Sequence, residues 1–443
     1  MAPAGIPRWL HNRLRSLTGS LVDCDLTELS EGLEGRAGHP VAVLFDILQR
    51  PNADIGQQLP SLLEWRHVPD RAVSHILVGR GPAGGVLANE QNGARSLSSA
   101  SWMDLPGFSL GDWRSASSGL EGTERVPLGD FADYYKAYAH ATGIADNMLS
   151  YTTIESSACT HDGWVLRGVV ESPLCSNRLS IQINAASVIA ATGVFDVARS
   201  IKFDAALGDA HDLVVHAYGK IKDALSPEAA VVVVGGGLSA ADAVLDMLAR
   251  GNRVYHVFRS PAGVLDRLPA SEYPEYARLA VRMTEGAAGG YTPLPGYHVE
   301  RVAASEGSSQ GCEVALRGPS GDAQVLSARH VLVSVGSEAS LAFLPEEIVR
   351  GEPAPRAARP IQVDPATSQW PGTSTLFAVG SLAGGQFVRF MVGSCAAAVS
   401  TLFRNNVVTV PPRPIAAPSS YTSFFHCITR MVCDAFNSPV CCE

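Results

Sequence analysis

The chain has 443 residues, of which 46% are hydrophobic and 17% are charged, so it is long enough for two or three folded domains. Its net charge of −9, with lysines and arginines scattered rather than clustered, argues against binding to duplex nucleic acid, which needs a basic surface. No apolar run reaches the roughly 18 residues of a membrane span, so the sequence predicts no transmembrane segment.

Residues 5–50 are predicted to be mainly helical, and Pro40 to Arg50 is the most regular amphipathic piece. Near the start, leucines recur at helical spacing among arginines, with no acidic residue before Asp23. A mitochondrial presequence shares that pattern, as does an amphipathic helix packed on a domain. We favour the packed helix. Because the N-terminus lacks the apolar core of a secretory signal, we expect a cytoplasmic protein, and the scattered cysteines of its body are read as reduced thiols.

Strands and helices are predicted to alternate along the rest of the chain. The predicted strands are AVSHILVG (72–79), WVLRGVVE (164–171), LSIQINAASVIAATG (179–193), CEVALRG (312–318), HVLVSVG (330–336) and TLFAVG (375–380). The second and third are expected to form one antiparallel meander. A helix with an aromatic side is predicted over 129–144, capped by Gly129 or Asp130, and a small-residue helix over 390–404. The Pro- and Gly-rich segments 287–296 and 350–372 are predicted to be connections.

Residues 230–258 have the pattern of a dinucleotide-binding strand–loop–helix–strand unit. After a buried-strand run, Gly235 permits a tight turn, Gly237 lets the backbone approach a pyrophosphate, and Ala240 is small enough for close helix–strand packing. Ser239 can donate a hydrogen bond to phosphate, and the helix from Leu238 directs its N-terminal amides at that anion. The candidate nucleotide-binding residues of this loop are Gly235, Gly236, Gly237, Leu238, Ser239 and Ala240.

The second strand of this unit ends in Arg259, where an NAD site usually has a carboxylate that accepts from the ribose 2′-hydroxyl. A guanidinium has a fixed charge and forked donors that suit a 2′-phosphate. We therefore predict NADPH rather than NADH as the ligand, with Arg259 as its specificity residue.

A second glycine-rich segment, GRGPAGG (79–85), has the same glycine spacing but lacks the same context. Only about two helical turns of sequence follow it before Gly93, and no second strand ending in a charged residue is recognisable. On spacing alone, this segment is a weak candidate for a dinucleotide fingerprint.

Several motifs in order resemble the oxidative stress-induced growth inhibitor family, which is related to the flavin-containing monooxygenases. They are LSEGLEGR (29–36), PVAVLFDILQRP (40–51), SWMDLPGFSLGDW (101–113), VIAATGVFD (188–196), VVGGGLSAADAVL (233–245), YPEYARL (273–279) and LFAVGSLAGGQFVRF (376–390). The resemblance implies an α/β fold that binds two dinucleotides, in which an NADPH domain interrupts an FAD domain. It also implies that the chain crosses between the domains at 190–193 and 333–337.

The implied division is an FAD-type domain in two parts, 1–200 and 336–410, an NADPH-binding domain, 201–335, and a Cys-containing tail, 411–443. In this family the FAD pyrophosphate loop lies on an earlier strand, and this chain begins at a point after it, so we expect weak flavin binding. The residues expected near a flavin are Gly84, Gly85, Trp102, Thr192, Gly193, Gly380, Gly385 and Phe387. Arg389 is expected close to the flavin-facing end of the last helix.

The activity implied by the resemblance is that of a monooxygenase in which NADPH reduces FAD and the reduced flavin uses O₂ to oxygenate a small nucleophile. An alternative of a different class is a nucleotide-binding regulator of growth or cell death with little or no turnover. No catalytic side chain and no metal site are assigned; His75, His298 and His330 are interpreted as structural or surface residues. The sequence identifies neither the substrate nor a protein partner.

Overall fold

The computed structural model describes residues 5–17, 19–35, 39–68, 73–89, 94–115, 125–171, 173, 178–206, 211–259, 265–305, 311–350 and 353–405. Within them the α-helices are α1 (Arg8–Arg15), α2 (Leu26–Ser30), α3 (Pro40–Gln49), α4 (Leu110–Ser115), α5 (Leu128–Ala141), α6 (Leu238–Ala249), α7 (Pro274–Glu285), α8 (Glu346–Val349) and α9 (Val388–Arg404). The Cys-containing tail predicted over 411–443 lies outside the described residues.

Short β-strands form several separate sheets. In chain order they are β1 (Leu77–Val78), β2 (Met148–Leu149), β3 (Thr152–Thr160), β4 (Gly163–Val170), β5 (Leu179–Ala185), β6 (Val188–Ala190), β7 (Val197–Ala198), β8 (Asp204–Ala206), β9 (Val214–Val215), β10 (Ala230–Val234), β11 (Arg253–Phe258), β12 (Tyr291–Pro295), β13 (His298–Ala304), β14 (Cys312–Arg317), β15 (Ala323–Ala328), β16 (His330–Val333), β17 (Ser337–Glu338) and β18 (Leu376–Ala378).

The central sheet is parallel and five-stranded, in the order β12-β11-β10-β16-β9. Every residue of β10 is buried, because α6 and α7 pack on one face of the sheet and the sheet β15-β14-β13-β8 packs on the other. The predicted strand–loop–helix–strand unit is therefore confirmed. Gly251 follows α6 with φ +83°, the left-handed conformation expected after a helix.

The prediction of a connection over 287–296 is wrong, because β12 lies within it. Its prolines suggested a loop, but β12 pairs only with β11 and so lies at the edge of the sheet. An edge strand has one side without ladder hydrogen bonds, and proline is tolerated there.

The antiparallel meander is only partly as predicted. β3, β4 and β5 form it, but β6 leaves it and pairs in parallel with β18, with Ala190 opposite Ala378. The indole of Trp164 on β4 donates a hydrogen bond of 3.0 Å to the hydroxyl of Thr375, just before β18. One apolar cluster spans the meander and the β6–β18 pair, so the two are packed together.

A helical layer of α1, α2, α3 and α9 completes this half of the molecule. The close approach of α3 and α9 depends on Gly393, since a Cβ there would lie 2.5 Å from the Cα of Ala42. Leu10 of α1 is fully buried in the same cluster, and Arg13 donates to the carbonyls of Glu28 and Glu31 at the end of α2. The interpretation of the N-terminal segment as a packed amphipathic helix is confirmed.

Two local predictions need correction. Of the strand predicted over 72–79, only Leu77–Val78 is a strand; residues 73–76 are irregular, and residue 72 lies outside the described residues. Helix α5 begins after Pro127 without a side-chain cap. Asp130, one of the two expected caps, instead accepts from Arg114 at 2.6 Å.

Candidate functional site

The glycine loop between β10 and α6 makes a turn that only glycine fits. Gly235 is buried with φ +147°, and a Cβ there would overlap the carbonyl oxygen of Ser334. Its N–H donates to the carbonyl of Val257 at 2.9 Å. The tight-turn role expected of this glycine is therefore seen in the fold.

The next part of the loop opens toward solvent. Gly237 precedes α6 with an ordinary φ of −93°, and a Cβ on it would meet no atom within 4 Å. Nothing inside the protein thus requires glycine at this position. Ala240, in contrast, is fully buried where α6 meets the sheet. The first amides of a helix have no carbonyl partner within it, and those of Leu238 and Ser239 have no backbone acceptor among the described residues.

Arg259 directly follows β11 and is exposed. Among the described residues, no ion pair or hydrogen bond of its side chain is found. The parallel pairing of β10 and β11 places the end of β11 beside the glycine loop, with Val257 opposite Val234. The structure therefore brings the exposed Arg259 and the N-terminus of α6 to one edge of the sheet.

Sequence reasoning missed His256, which lies behind this loop. Its Nε2 is 2.6 Å from the carbonyl oxygen of Gly235, and its Nδ1 is 2.9 Å from the hydroxyl of Tyr291. Burial lowers the pKa of His256 to about 4. The available signal was a polar residue within the apolar strand RVYHVF, on the same face as the buried Val254 and Phe258.

A second set of contacts that sequence reasoning missed joins α7 to a distant segment of the chain. Tyr276 donates to the carboxylate of Asp242, on α6, at 2.6 Å, and burial raises the pKa of Asp242. Tyr273 donates to the carbonyl of Leu97 at 2.6 Å, while the guanidinium of Arg125 lies 4.6 Å from the Tyr273 ring and pairs with Glu275. The motif YPEYARL therefore ties α6 to the segment that precedes Trp102.

Several residues predicted to lie near a flavin meet at the start of α9. A Cβ on Gly193 would lie 3.2 Å from the hydroxyl oxygen of Ser381, and the N–H of Gly385 donates to the carbonyl of Gly380 at 2.9 Å. Thr192 is next to Gly193 in the sequence, and the two follow β6, whose Ala190 accepts from Val379 at 3.1 Å. The ends of β6 and β18 thus come together with the loop before α9.

The other predicted residues approach the same region from α5 and from the turn at 100–103. Gly84 packs on α5, where a Cβ would lie 3.4 Å from the Cα of Ala132, and Gly85 begins a short 3₁₀ turn. Leu87 of that turn and Val388 of α9 belong to one apolar cluster. Phe387 precedes α9 and is partly exposed.

Arg389 lies in the first turn of α9, at the end of the helix where it was expected. The guanidinium is only 2% exposed and does not face an open site. It pairs with Asp46 through two hydrogen bonds, one of 2.8 Å, and lies 4.3 Å from the ring of Trp102. The charge of Arg389 is thus matched by a buried carboxylate on α3, 343 residues earlier in the chain.

The chain segments that follow β6 and β16, here called the two connections, lie side by side. β7 pairs with β17 in antiparallel register, with Ala198 opposite Ser337. Asp196 pairs with Arg80 and also accepts from the N–H of Ser340 at 3.1 Å. The segment after β1, which was a weak candidate for a fingerprint, is thus fixed to both connections. It leads into a 3₁₀ turn, Gly85–Asn89, rather than an α-helix.

The part of the chain that the structure describes holds neither a candidate metal site nor a candidate membrane span. No group of three or more His, Cys, Asp or Glu side chains there could hold a metal ion. No helix in those ranges is long and apolar enough to span a membrane.

Comparison with known proteins supports the architecture. Residues 177–272 match the family model described as pyridine nucleotide-disulphide oxidoreductase. The chain is similar to the bacillithiol disulfide reductase Bdr of Bacillus cereus, with a TM-score of 0.56 and 13% identity over 83% of this chain and 96% of that one. The FAD-bound cadaverine monooxygenase DfoA of Erwinia amylovora gives a TM-score of 0.50 and 15% identity, covering 78% and 91%.

The fold and the glycine loop therefore define an α/β protein with the two-dinucleotide-binding architecture that flavoprotein oxidoreductases have. Two relatives identify the family within this architecture. The chain is 32% identical to oxidative stress-induced growth inhibitor 1 of Mus musculus, over 91% of this chain and 89% of that protein. It is 30% identical to oxidative stress-induced growth inhibitor 2 of Homo sapiens, over 84% and 82%. The chain belongs to the oxidative stress-induced growth inhibitor family.

Proposed function

We propose that the protein is an NADPH-binding oxidoreductase of the flavoprotein monooxygenase type. The observation that carries this proposal is the edge of the parallel sheet at which the glycine loop, the N-terminus of α6 and the exposed Arg259 meet. We assign residues 201–335 as the NADPH domain, inserted between the parts 1–200 and 336–410 of a flavin-type domain.

The described residues fit a nicotinamide dinucleotide. The space beside Gly237 would admit a pyrophosphate, and the free amides of Leu238 and Ser239 would donate to it. Arg259 would bind the 2′-phosphate through charge-assisted hydrogen bonds. The bound nucleotide would supply a hydride, and the chain's own part is to bind and orient it.

The fit to FAD is partial. Gly193, Gly380, Gly385 and Phe387 surround the start of α9, where a flavin ring would be expected. Yet the glycine-rich segment 79–85 leads into a 3₁₀ turn, and Arg389 is already neutralised by Asp46. Within the described residues, no second helix N-terminus follows a fingerprint loop to match the FAD phosphates. The described residues therefore fit FAD less well than they fit a nicotinamide dinucleotide.

The names of the relatives suggest a role for the protein in growth inhibition under oxidative stress. A second function is favoured by the 3₁₀ turn after residues 79–85: a regulatory protein that binds NADPH but turns it over poorly. Both functions require the nucleotide site, and they differ only in flavin content and catalysis.

One set of measurements on the purified full chain tests these proposals. Calorimetric titration should give a lower Kd for NADPH than for NADH. A flavin absorbance spectrum together with NADPH oxidation would support the monooxygenase-type function. NADPH binding with no flavin spectrum and no NADPH oxidation would support the regulatory function. Equal affinity for the two nucleotides, or no binding of either one, would contradict the assigned NADPH site.

A further inference from the structure

Both backbone groups of Gly235 are held by β11, but in different ways. Its N–H donates to a backbone carbonyl, that of Val257. Its carbonyl oxygen lies 2.6 Å from Nε2 of His256, so a side chain holds the first peptide unit of the loop.

The hydrogen-bond partners fix the tautomer of this imidazole. A carbonyl oxygen can only accept, so Nε2 must carry the proton that is donated to Gly235. Nδ1 of the neutral ring then accepts, and the hydroxyl of Tyr291, 2.9 Å away, donates to it. His256 and Tyr291 are each 1% exposed, and the His256 ring also packs 4.8 Å from that of Phe258. Water is thus poorly placed to replace either bond.

The orientation of this peptide unit bears on ligand binding. The described chain has no cis peptide bond, and in a trans peptide the C=O and the following N–H point in opposite directions. While His256 holds the Gly235 carbonyl toward the core, the N–H of Gly236 must point away from it. Gly236 is exposed at the open end of the sheet, beside the N-terminus of α6.

We propose that His256 is a positioning residue of the nucleotide site, which holds the Gly235–Gly236 peptide so that the Gly236 amide faces the diphosphate of a bound dinucleotide. Glycine at 235 has access to backbone conformations closed to other residues. Without the imidazole donor, this peptide is free to rotate and to present its carbonyl, the negative end of its dipole, to the diphosphate. This inference rests on the proposed NADPH site.

The test compares probes with and without a diphosphate. NADPH and inorganic pyrophosphate engage the loop, whereas adenosine 2′-monophosphate engages the Arg259 end alone. His256→Leu is expected to lower affinity for NADPH and pyrophosphate about tenfold or more, as for a lost buried hydrogen bond, and to leave adenosine 2′-monophosphate within about twofold. His256→Gln, which restores an N–H donor, is expected to recover part of the loss.

Matched variants guard against a merely structural effect. His330→Leu makes the same change at a buried histidine of the same sheet, but at the start of β16, far from the loop end, and should change neither affinity. Tyr291→Phe keeps the imidazole and removes the hydroxyl that donates to its Nδ1; it should weaken NADPH binding in the same sense. This variant carries the test if His256→Leu does not fold.

The outcomes are distinguishable. Suppose that the parent binds NADPH. Equal losses of affinity for the diphosphate probes and for adenosine 2′-monophosphate in His256→Leu would then overturn the role of His256 alone. So would a folded His256→Leu protein with no loss of affinity for NADPH. A parent chain that binds neither NADPH nor pyrophosphate would overturn the proposed function, and this inference with it.

Discussion

Asp46 of α3 and Arg389 of α9 form a buried ion pair, in which Nε of Arg389 donates to one carboxylate oxygen at 2.8 Å and Nη2 donates to the other. The two side chains are 5% and 2% exposed. Asp54 adds a contact of 3.1 Å to the same guanidinium. The pair lies where α9 meets α3, so it connects α3 to the helix that begins at the candidate flavin region.

The substitution Asp46→Asn should therefore destabilise the fold. It leaves the buried guanidinium of Arg389 with only the half-exposed Asp54 as a charged partner, a loss on the order of 3 kcal/mol in the free energy of unfolding. Urea denaturation of both proteins measures it. Glu155→Gln, which breaks the exposed pair with Arg178, is the control and should cost less than about 1 kcal/mol. Similar small losses for both variants would show that the buried pair is not a principal tie between α3 and α9.

Arg259→Asp should weaken NADPH binding by ~1.5–3 kcal/mol, the range for a charge-assisted hydrogen bond, and affect NADH much less. The reason is that only NADPH carries the 2′-phosphate. Intrinsic fluorescence or calorimetric titration of both nucleotides provides the measurement. Arg253→Asp, at the opposite end of β11, changes the charge equally and should leave both affinities near those of the parent. Equal losses for NADPH and NADH in the Arg259 variant would exclude the 2′-phosphate role.

Two glycines of the same loop should respond differently to substitution by valine. Gly237→Val should fold like the parent, because φ is −93° and the space beside it is open, yet it should lose NADPH binding, since the side chain would fill the pyrophosphate position. Gly235→Val should unfold at lower temperature, because its Cβ would overlap the Ser334 carbonyl and its φ of +147° is strained for valine. Thermal melts and NADPH titration separate the two effects. Unimpaired NADPH binding by Gly237→Val would show that the fingerprint has been misread.

The strand–loop–helix–strand unit could be predicted from the sequence because its signals are local. The glycine spacing, the valine run of β10 and the helical periodicity of α6 all lie within thirty residues. The prolines of β12 gave the opposite local signal, and only its edge position explains why a strand forms there.

The rest of the candidate site depends on contacts between distant residues. The partner of Arg389 is 343 residues away, and Tyr273 binds a carbonyl 176 residues away. His256 and Gly235 are only 21 residues apart, but their contact requires the parallel register of β10 and β11. Spacing along one sequence carries no direct record of such pairs, so these contacts were not predicted.

The last prediction concerns the dependence of stability on pH. Burial lowers the pKa of His256 from 6.5 to about 4, so the unfolded chain binds a proton at this site more readily than the folded chain does. The stabilising contribution of the neutral His256 is therefore fully present above pH 6.5 and is lost as the pH falls through the interval from about 6.5 to 4.

Other groups contribute to the pH dependence of stability as well. The pKa of His330 is lowered in the same direction, whereas the buried carboxyls of Asp104 and Asp242 have raised pKa values and oppose the trend. For that reason the parent must be compared with His256→Gln at each pH rather than judged alone. The difference in unfolding free energy between the two proteins should shrink by up to ~3 kcal/mol between pH 7 and pH 4. A difference that stays constant across this interval would mean that His256 is not held neutral behind the glycine loop.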